Sequence, residues 1–424
     1  MSNGKISYKN IAPCLFAIVI DALGFGLVYP VLTTIFTAAE SPLLAMGTSD
    51  NLRHFYLGLG FMLYPLCMFF GAAFMADLSD NYGRKRILMI CMGGIALSFF
   101  AMAIAIEIQS IALLMLGRAV SGIMAGSQPI AQAAIADLST ADTKAKNMSV
   151  IALSYCIGTI LGPFIGGVTS DPEVSPWFSF ATPFYIATFL SVIAFVWLQF
   201  GFTETYQVTV RKPIQLTRPF KIFIEAFEHR QVRTLAIVFL LMQMGFSLYF
   251  QYIIVQMEQE YAYSNALLGG VQGMIGIGFA VGLLIGIPLA LKFWKILAIA
   301  IATGLLTGIG QIIVAIATVE SLQWVLAFLI AGVNIMVFTG MLTLFSDSVD
   351  KQSQGWAMGI ANAVLACAWA ITGLMSNLLD LFTTRGLIFL GGVCLIVASL
   401  WLYKKRSGYM NKDSSNNITQ THFL

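Results

Sequence analysis

Apolar runs of membrane-spanning length recur along the chain, separated by short polar connections. About 20 apolar residues cross a hydrocarbon core of roughly 30 Å. The pattern therefore predicts twelve spans: 11–34, 55–76, 87–106, 111–135, 148–169, 182–203, 233–257, 266–291, 295–317, 323–345, 355–380 and 384–404. The longest polar connection, 204–232, divides them six and six. It is basic, contains Pro213 and Pro219, and holds an amphipathic stretch over Phe220–His229 that predicts a helix lying on the membrane surface. The organisation read from this pattern is a six-span bundle over 1–203, a central loop over 204–232, a second six-span bundle over 233–404 and a disordered tail over 405–424.

The fifth run carries residues that a soluble helix rejects. Gly158, Gly162, Pro163, Gly166 and Gly167 stand within it, although an interior Gly costs about 1 kcal/mol and an interior Pro about 3 kcal/mol in a helix. Gly158, Gly162 and Gly166 recur every fourth residue, which bares one helix face for close approach of a neighbouring backbone. Pro163 frees a carbonyl one turn back and invites a kink.

The halves also echo each other. "AAIADLSTADTKAKNMSVIALSYC" from Ala133 parallels "LTLFSDSVDKQSQGWAMGIANAVLAC" from Leu342, aligning Asp137 with Asp347, Met148 with Met358 and Gly122 with Gly332. A shorter echo links "GFGLVYPVL" from Gly24 to "GFSLYFQYI" from Gly245. Two homologous bundles predict a substrate cavity on the axis between them.

Composition agrees with the pattern: 58% hydrophobic, 10% charged, mean hydropathy +0.84, against roughly 25% charged in soluble chains. Among the 23 Lys and Arg, all but Arg53, Arg118 and Arg385 fall in the tails and even-numbered connections, while the odd-numbered connections hold mostly acids. This bias places both termini in the cytoplasm. The net charge of +3 then reflects topology, not nucleic-acid binding. The six cysteines lie within spans without CxxC spacing, and His54, His229 and His422 form no cluster, so neither a metal nor a disulfide framework is expected. The first run continues past Asp21 without a small-residue cleavage site, unlike a signal peptide. No Walker loop, GxSxG elbow or HExxH appears, and no cofactor or enzymatic activity is expected.

Asp21 and Arg118 are the two clearest charges inside spans. A charge at mid-bilayer costs about 2.5–3.5 kcal/mol on insertion scales, which makes each a functional candidate. Counting 1.5 Å per residue puts Asp21 about 15 Å from one boundary and Arg118 about 10 Å from the other, a height difference of only about 5 Å. They are read as a proton-coupling pair, in which Arg118 orients the first-span backbone and tunes Asp21; a static ion pair is the alternative. Tyr29, Gln128, Gln132, Tyr155, Gln243, Tyr249, Gln251, Tyr252, Asn334 and Asn362 are candidates to line the cavity, with interhelical hydrogen bonding as the competing role for each.

The turn Ala76–Arg86 resembles the loop signature G-x-L-a-D-r-x-G-r-k of the major facilitator superfamily at Asp80, Gly83, Arg84 and Lys85, departing at Ala76 and Asn81. "GRAVSG" from Gly117 resembles that family's fourth-span signature, and Gly158–Gly167 its fifth-span antiporter signature. "DALGFGLVYPVL" from Asp21 is similar to the first span of tetracycline/proton antiporters. Those antiporters carry further acids in spans three and nine, whereas here Glu107 and Glu320 stand only at span ends. The resemblance implies an all-α fold of two pseudo-symmetric six-helix bundles. It also implies a charge lock of Asp80, Gly83, Arg84 and Asp137 that holds the outward-facing state. The expected function is a monomeric, proton-coupled exporter of small amphipathic or drug-like compounds in a bacterial inner membrane. A proton symporter importing a nutrient or siderophore-like compound is the alternative.

Overall fold

The computed structural model describes residues 8–38, 41–139, 141–206, 224–225, 230–349 and 353–406. Among them, twelve helices are long and apolar enough to cross a membrane: α1 (Ile11–Thr37), α2 (Asp50–Tyr82), α3 (Arg84–Glu107), α4 (Ile111–Asp137), α5 (Ser149–Thr169), α6 (Thr182–Gly201), α7 (Val232–Tyr261), α8 (Asn265–Leu291), α9 (Ile296–Ile316), α10 (Glu320–Asp347), α11 (Trp356–Leu378) and α12 (Thr384–Lys404). Each predicted run falls on one helix. Several helices overrun the apolar count, because backbone hydrogen bonding continues into the polar boundary where side-chain hydropathy has already changed. Apart from Ile224 and Glu225, the expected surface helix over 220–229 lies outside the described residues, as does the chain from 407 onward.

Three helices are interrupted. The run over 111–135 was expected as one helix, but α4 consists of two segments, Ile111–Met124 and Ser127–Asp137, separated at Ala125 and Gly126. In α8, residues Gly282–Gly286 form a π-helical turn, and α11 ends in a 3₁₀ turn over Met375–Leu378. By contrast, the helix containing α5 runs without a break through Pro163.

The glycine stripe of α5 meets backbone at every step. A Cβ built on Gly158 would lie 2.4 Å from Val19 O, on Gly162 2.3 Å from Leu23 O, and on Gly166 2.2 Å from Leu27 O. The three contacts descend α1 with the same four-residue period. The opposite face of α5 meets α8: a Cβ on Gly167 would lie 2.3 Å from Asn265 O, and one on Gly269 2.4 Å from Pro163 O. Thus α5 is held between a helix of its own bundle and a helix of the other.

Helices α1–α6 pack mainly on one another, as do α7–α12; the bundles join through α5 on α8, α2 on α11 and α1 on α7. The α2–α11 seam repeats the α5–α8 seam, as pseudo-two-fold symmetry requires. A Cβ on Gly58 would lie 2.8 Å from Gly373 O, and one on Gly373 2.8 Å from Met62 N. The longer internal echo is also visible in packing: Gly122 of α4 abuts Tyr64 O of α2, and Gly332 of α10 abuts Gly278 O of α8.

The bundles are not joined along their whole height. One hydrophobic core runs through the first bundle and takes in Phe246–Met257 of α7, Leu268–Ile275 of α8 and Ile388 of α12. These lie in the half of the molecule away from the termini, called here the far face. A second core, with Val232–Met242, Val337–Phe345 and Leu395–Leu402, belongs to the second bundle alone and occupies the half on the side of the termini. The molecule is fused at the far face and divided at the terminal face.

Gly162→Ala should destabilise the fold by about 1–3 kcal/mol through overpacking against α1. Gly93→Ala should stay within about 0.5 kcal/mol, since its added Cβ would meet only Phe195, at an ordinary 3.6 Å. Thermal unfolding of the two variants in detergent micelles measures the difference.

Candidate functional site

The interruption in α4 falls beside Asp21. That residue is 8% exposed, and its carboxyl faces the Ser127 hydroxyl and the backbone of Gln128, the first residues of the second α4 segment. The first N–H groups of a helix have no partner within it and carry partial positive charge. The break therefore presents a helix start to an acid inside the membrane. None of the ion pairs among the described residues includes Asp21.

Arg118 is 1% exposed and does not orient the first-span backbone as expected. Its Nε donates to Gly60 O of α2 at 3.0 Å, and its guanidinium carbon sits 5.1 Å from the Tyr64 ring centroid. Sequence counting compared heights alone, but azimuth decides contact: residue 118 on α4 faces α2, and Asp21 faces the lower segment of α4. No ion pair joins the two. Tyr64 lies within electrostatic reach of both.

Above Asp21, toward the far face, aromatic rings from both bundles meet. Phe25 contacts Tyr29 (5.3 Å between centroids), Tyr64 (5.5 Å) and Trp369 of α11 (5.3 Å). Phe250 of α7 crosses the Tyr29 ring edge-on at 5.2 Å. Tyr29 and Phe250 hold matching positions in the shorter internal echo, so the repeat meets itself at the seam. The hydroxyls of Tyr29 and Tyr249, the Trp369 Nε1, the Arg118 Nη2 and both amide atoms of Gln272 are buried without a protein hydrogen-bond partner. Buried polar groups are ordinarily satisfied, which leaves these able to meet a bound solute.

The other cavity candidates separate. Gln243, Tyr249 and Asn334 are buried, Gln128 and Gln132 half-buried, and Tyr155 and Asn362 exposed. Gln251 and Tyr252 act between helices: Gln251 Nε2 donates to Trp369 O at 3.3 Å, and the Tyr252 hydroxyl to Thr372 O at 2.8 Å. Both tie α7 to α11.

At the terminal face, Arg84 gathers the residues of the turn signature. Its Nη1 pairs with Asp80 at 2.6 Å and its Nε with Asp137 at the end of α4 at 3.5 Å. Nη1 also donates to Ser79 Oγ at 2.6 Å, and Tyr206 lies under the guanidinium. Gly83 has φ +98, and a Cβ there would strike the Glu204 carboxylate. Glu204 accepts from the backbone N–H groups of Arg84 (2.9 Å) and Lys85 (3.1 Å), capping α3 from the end of α6. Sequence reasoning missed Glu204, Tyr64 and Ser127, because no local spacing marks a cap supplied from 120 residues away. It also missed Phe25 and Phe250, although both lie in the shorter internal echo. The cluster lies wholly within the first bundle.

Twelve membrane helices in two pseudo-symmetric bundles, with a buried acid in the first and an aromatic seam between them, define a membrane transporter. Residues 14–374 match the model of the Major Facilitator Superfamily, and the chain belongs to that family. It is 33% identical over 189 residues to the class B tetracycline resistance protein of Escherichia coli, covering 44% of this chain and 42% of that protein. It is 27% identical over 364 residues to the class C protein of Escherichia coli, covering 85% of this chain and 86% of that protein. The quinolone resistance protein NorA of Staphylococcus aureus is 33% identical over 189 residues, 44% of each chain. The matches to the class B protein and NorA thus span less than half of those relatives' lengths. Among solved structures, the human organic anion transporter MFSD10 (TETRAN) superposes with TM-score 0.69 at 18% identity, covering 93% of this chain and 99% of that one. A D-xylose-proton symporter superposes with TM-score 0.70 at 14% identity, covering 94% and 97%. At these identities the structural likenesses show the fold.

Glu204→Ala should lower stability by about 1 kcal/mol, the usual worth of a helix cap, while Glu204→Gln retains an acceptor and should lose less. Chemical denaturation of the two variants ranks them.

Proposed function

We propose that this chain is a proton-coupled antiporter that exports small amphipathic compounds. The observation that carries the reading is Asp21: a carboxyl buried within the first bundle, facing the start of a half-helix, and in none of the ion pairs among the described residues. A charge inside the membrane needs compensation. Here the available compensation is a proton or a cationic solute, and alternation between the two is exchange. Arg118, held on Gly60 and Tyr64, fixes the α2 side of this site. The names of the relatives, tetracycline and quinolone resistance proteins, support outward drug transport in a bacterial inner membrane.

The distribution of Lys and Arg assigns the terminal face to the cytoplasm. On that assignment the bundles divide toward the cytoplasm, the side from which an exporter loads. The Asp80–Arg84–Asp137 cluster then borders the opening, and its role is to engage the second bundle when the cytoplasmic side closes. Exchange follows if the two bundles rock about the fused seam and expose Asp21 to each side in turn.

Everted vesicles acidified inside test this reading. With ethidium as the probe, wild type should release lumenal protons as the dye enters, and Asp21→Asn should lower that exchange by 10-fold or more while leaving downhill dye movement. Undiminished proton release in Asp21→Asn would remove the residue from coupling. Proton flow out of the vesicle in company with dye would mark a symporter.

A further inference from the structure

Two acids that follow symmetry-related helices each make a contact across the far-face seam. Asp171 directly follows α5, is 4% exposed, and accepts from the backbone N–H of Ala266 at 3.1 Å. Ala266 lies in the first turn of α8, in the other bundle. The residue preceding that helix, Ser264, forms no side-chain cap, so the cap of α8 comes from across the seam. Asn265 reinforces it, donating to Ser170 O at 3.3 Å and meeting the Thr34 hydroxyl of α1.

A second acid crosses the seam with the bundles exchanged, meeting a side chain where Asp171 meets a backbone N–H. Asp380 follows α11 and pairs at 3.2 Å with Nδ1 of His54, near the start of α2. Beside it, the Ser376 hydroxyl donates to His54 O at 2.7 Å. Under the pseudo-two-fold relation α5 corresponds to α11 and α8 to α2. Each acid therefore leaves the helix of one bundle and grips the opening turns of its counterpart in the other. Bonds within each bundle brace the rims on which these grips act. Arg385 bridges Glu260 through Nε and Nη2 at 2.6 and 2.5 Å and donates to Ala315 O and Ala317 O, while Arg53 donates to Ala38 O at 2.6 Å.

We infer that Asp171 and Asp380 are paired latches that hold the far face shut, and that both release when the bundles rock apart. The rims are tied within each bundle, so opening breaks the contacts between bundles first. The N–H groups freed at the start of α8 turn to water, which keeps the two conformations close in free energy. This inference goes beyond the transport reading and requires neither a proton nor a particular substrate.

Thr33 reports the opening. It is fully buried in α1 beside the Thr34–Asn265 contact, whereas Met46, in the loop before α2, is 94% exposed. In sealed membranes, Thr33→Cys is reacted with an impermeant maleimide supplied to the far face, with the parent chain giving the background and Met46→Cys the reference. Asp171→Asn should speed labelling at position 33 about fivefold, equivalent to about 1 kcal/mol for a charge at a helix start, and Asp380→Asn, which removes the carboxylate from His54 Nδ1, should also speed it. The double variant should exceed either single one, and Asp171→Glu should label slowly, as the parent does. Unchanged labelling at position 33 in both single variants, with Met46→Cys reacting normally, would overturn the inference; these single variants carry the test if the double one does not fold. Because the readout involves no proton or solute movement, its failure is separate from failure of the Asp21 assignment.

Discussion

Backbone-to-backbone contact between α1 and α5 is the constraint on which the rest of this molecule depends. Lipid tails offer helices no hydrophobic drive to associate, so close packing must supply the attraction. The stripe Gly158–Gly162–Gly166 supplies it by removing every Cβ that would separate α5 from Val19, Leu23 and Leu27. The same helix presents Pro163 and Gly167 to α8, so the joint within the first bundle and the joint between bundles share one rigid element. The seam that places Phe25 and Tyr29 against Phe250 and Trp369 exists because α1 is held at this distance.

Within that frame, the break in α4 is what makes a buried acid tolerable. An unbroken helix would hide its amides in its own ladder and leave Asp21 facing apolar surface. Interrupting α4 at Ala125 and Gly126 turns Ser127 and the Gln128 backbone toward the carboxyl. Half-helix starts facing anionic groups are a recurrent device of transporters. Here the break falls where Pro129 has no N–H to give Ala125 O and its ring crowds that carbonyl, as a proline inside a helix does. Arg118 serves a different neighbour, binding Gly60 and lying over Tyr64, so the two membrane charges are not paired with each other.

The duplicated architecture explains why contacts come in pairs. Gly58 against Gly373 repeats Gly269 against Pro163, and Gly122 on α2 repeats Gly332 on α8. Symmetric joints let two rigid bundles turn about a common axis without either deforming. The contacts of the acids are distributed differently: the Arg84 ion pairs stay inside one bundle at the divided face, whereas Asp171 and Asp380 cross between bundles at the fused one. Charge contacts that exist in one conformation only are what give a two-state equilibrium its bias.

Hydropathy and charge along the chain were enough to read the twelve helices, the six-and-six division, the tight face of α5 and the pairing of repeats, because each depends on composition or on spacing within one helix. The resemblance at Asp80, Gly83 and Arg84 likewise identified a cluster that the fold assembles. Other features could not be read in this way. Arg118 was expected at the α1 backbone and is found on Gly60; α4 was expected whole and is broken at Asp21; Glu204 was not expected at all, although it caps α3. The Arg118 and Glu204 contacts depend on the azimuth of each helix about its axis and on which neighbour faces it; the break in α4 was legible at Pro129, and only its place beside Asp21 was not. A one-dimensional period determines which residues share a face, while only packing between helices, settled by glycine contacts far apart in the chain, decides what that face meets.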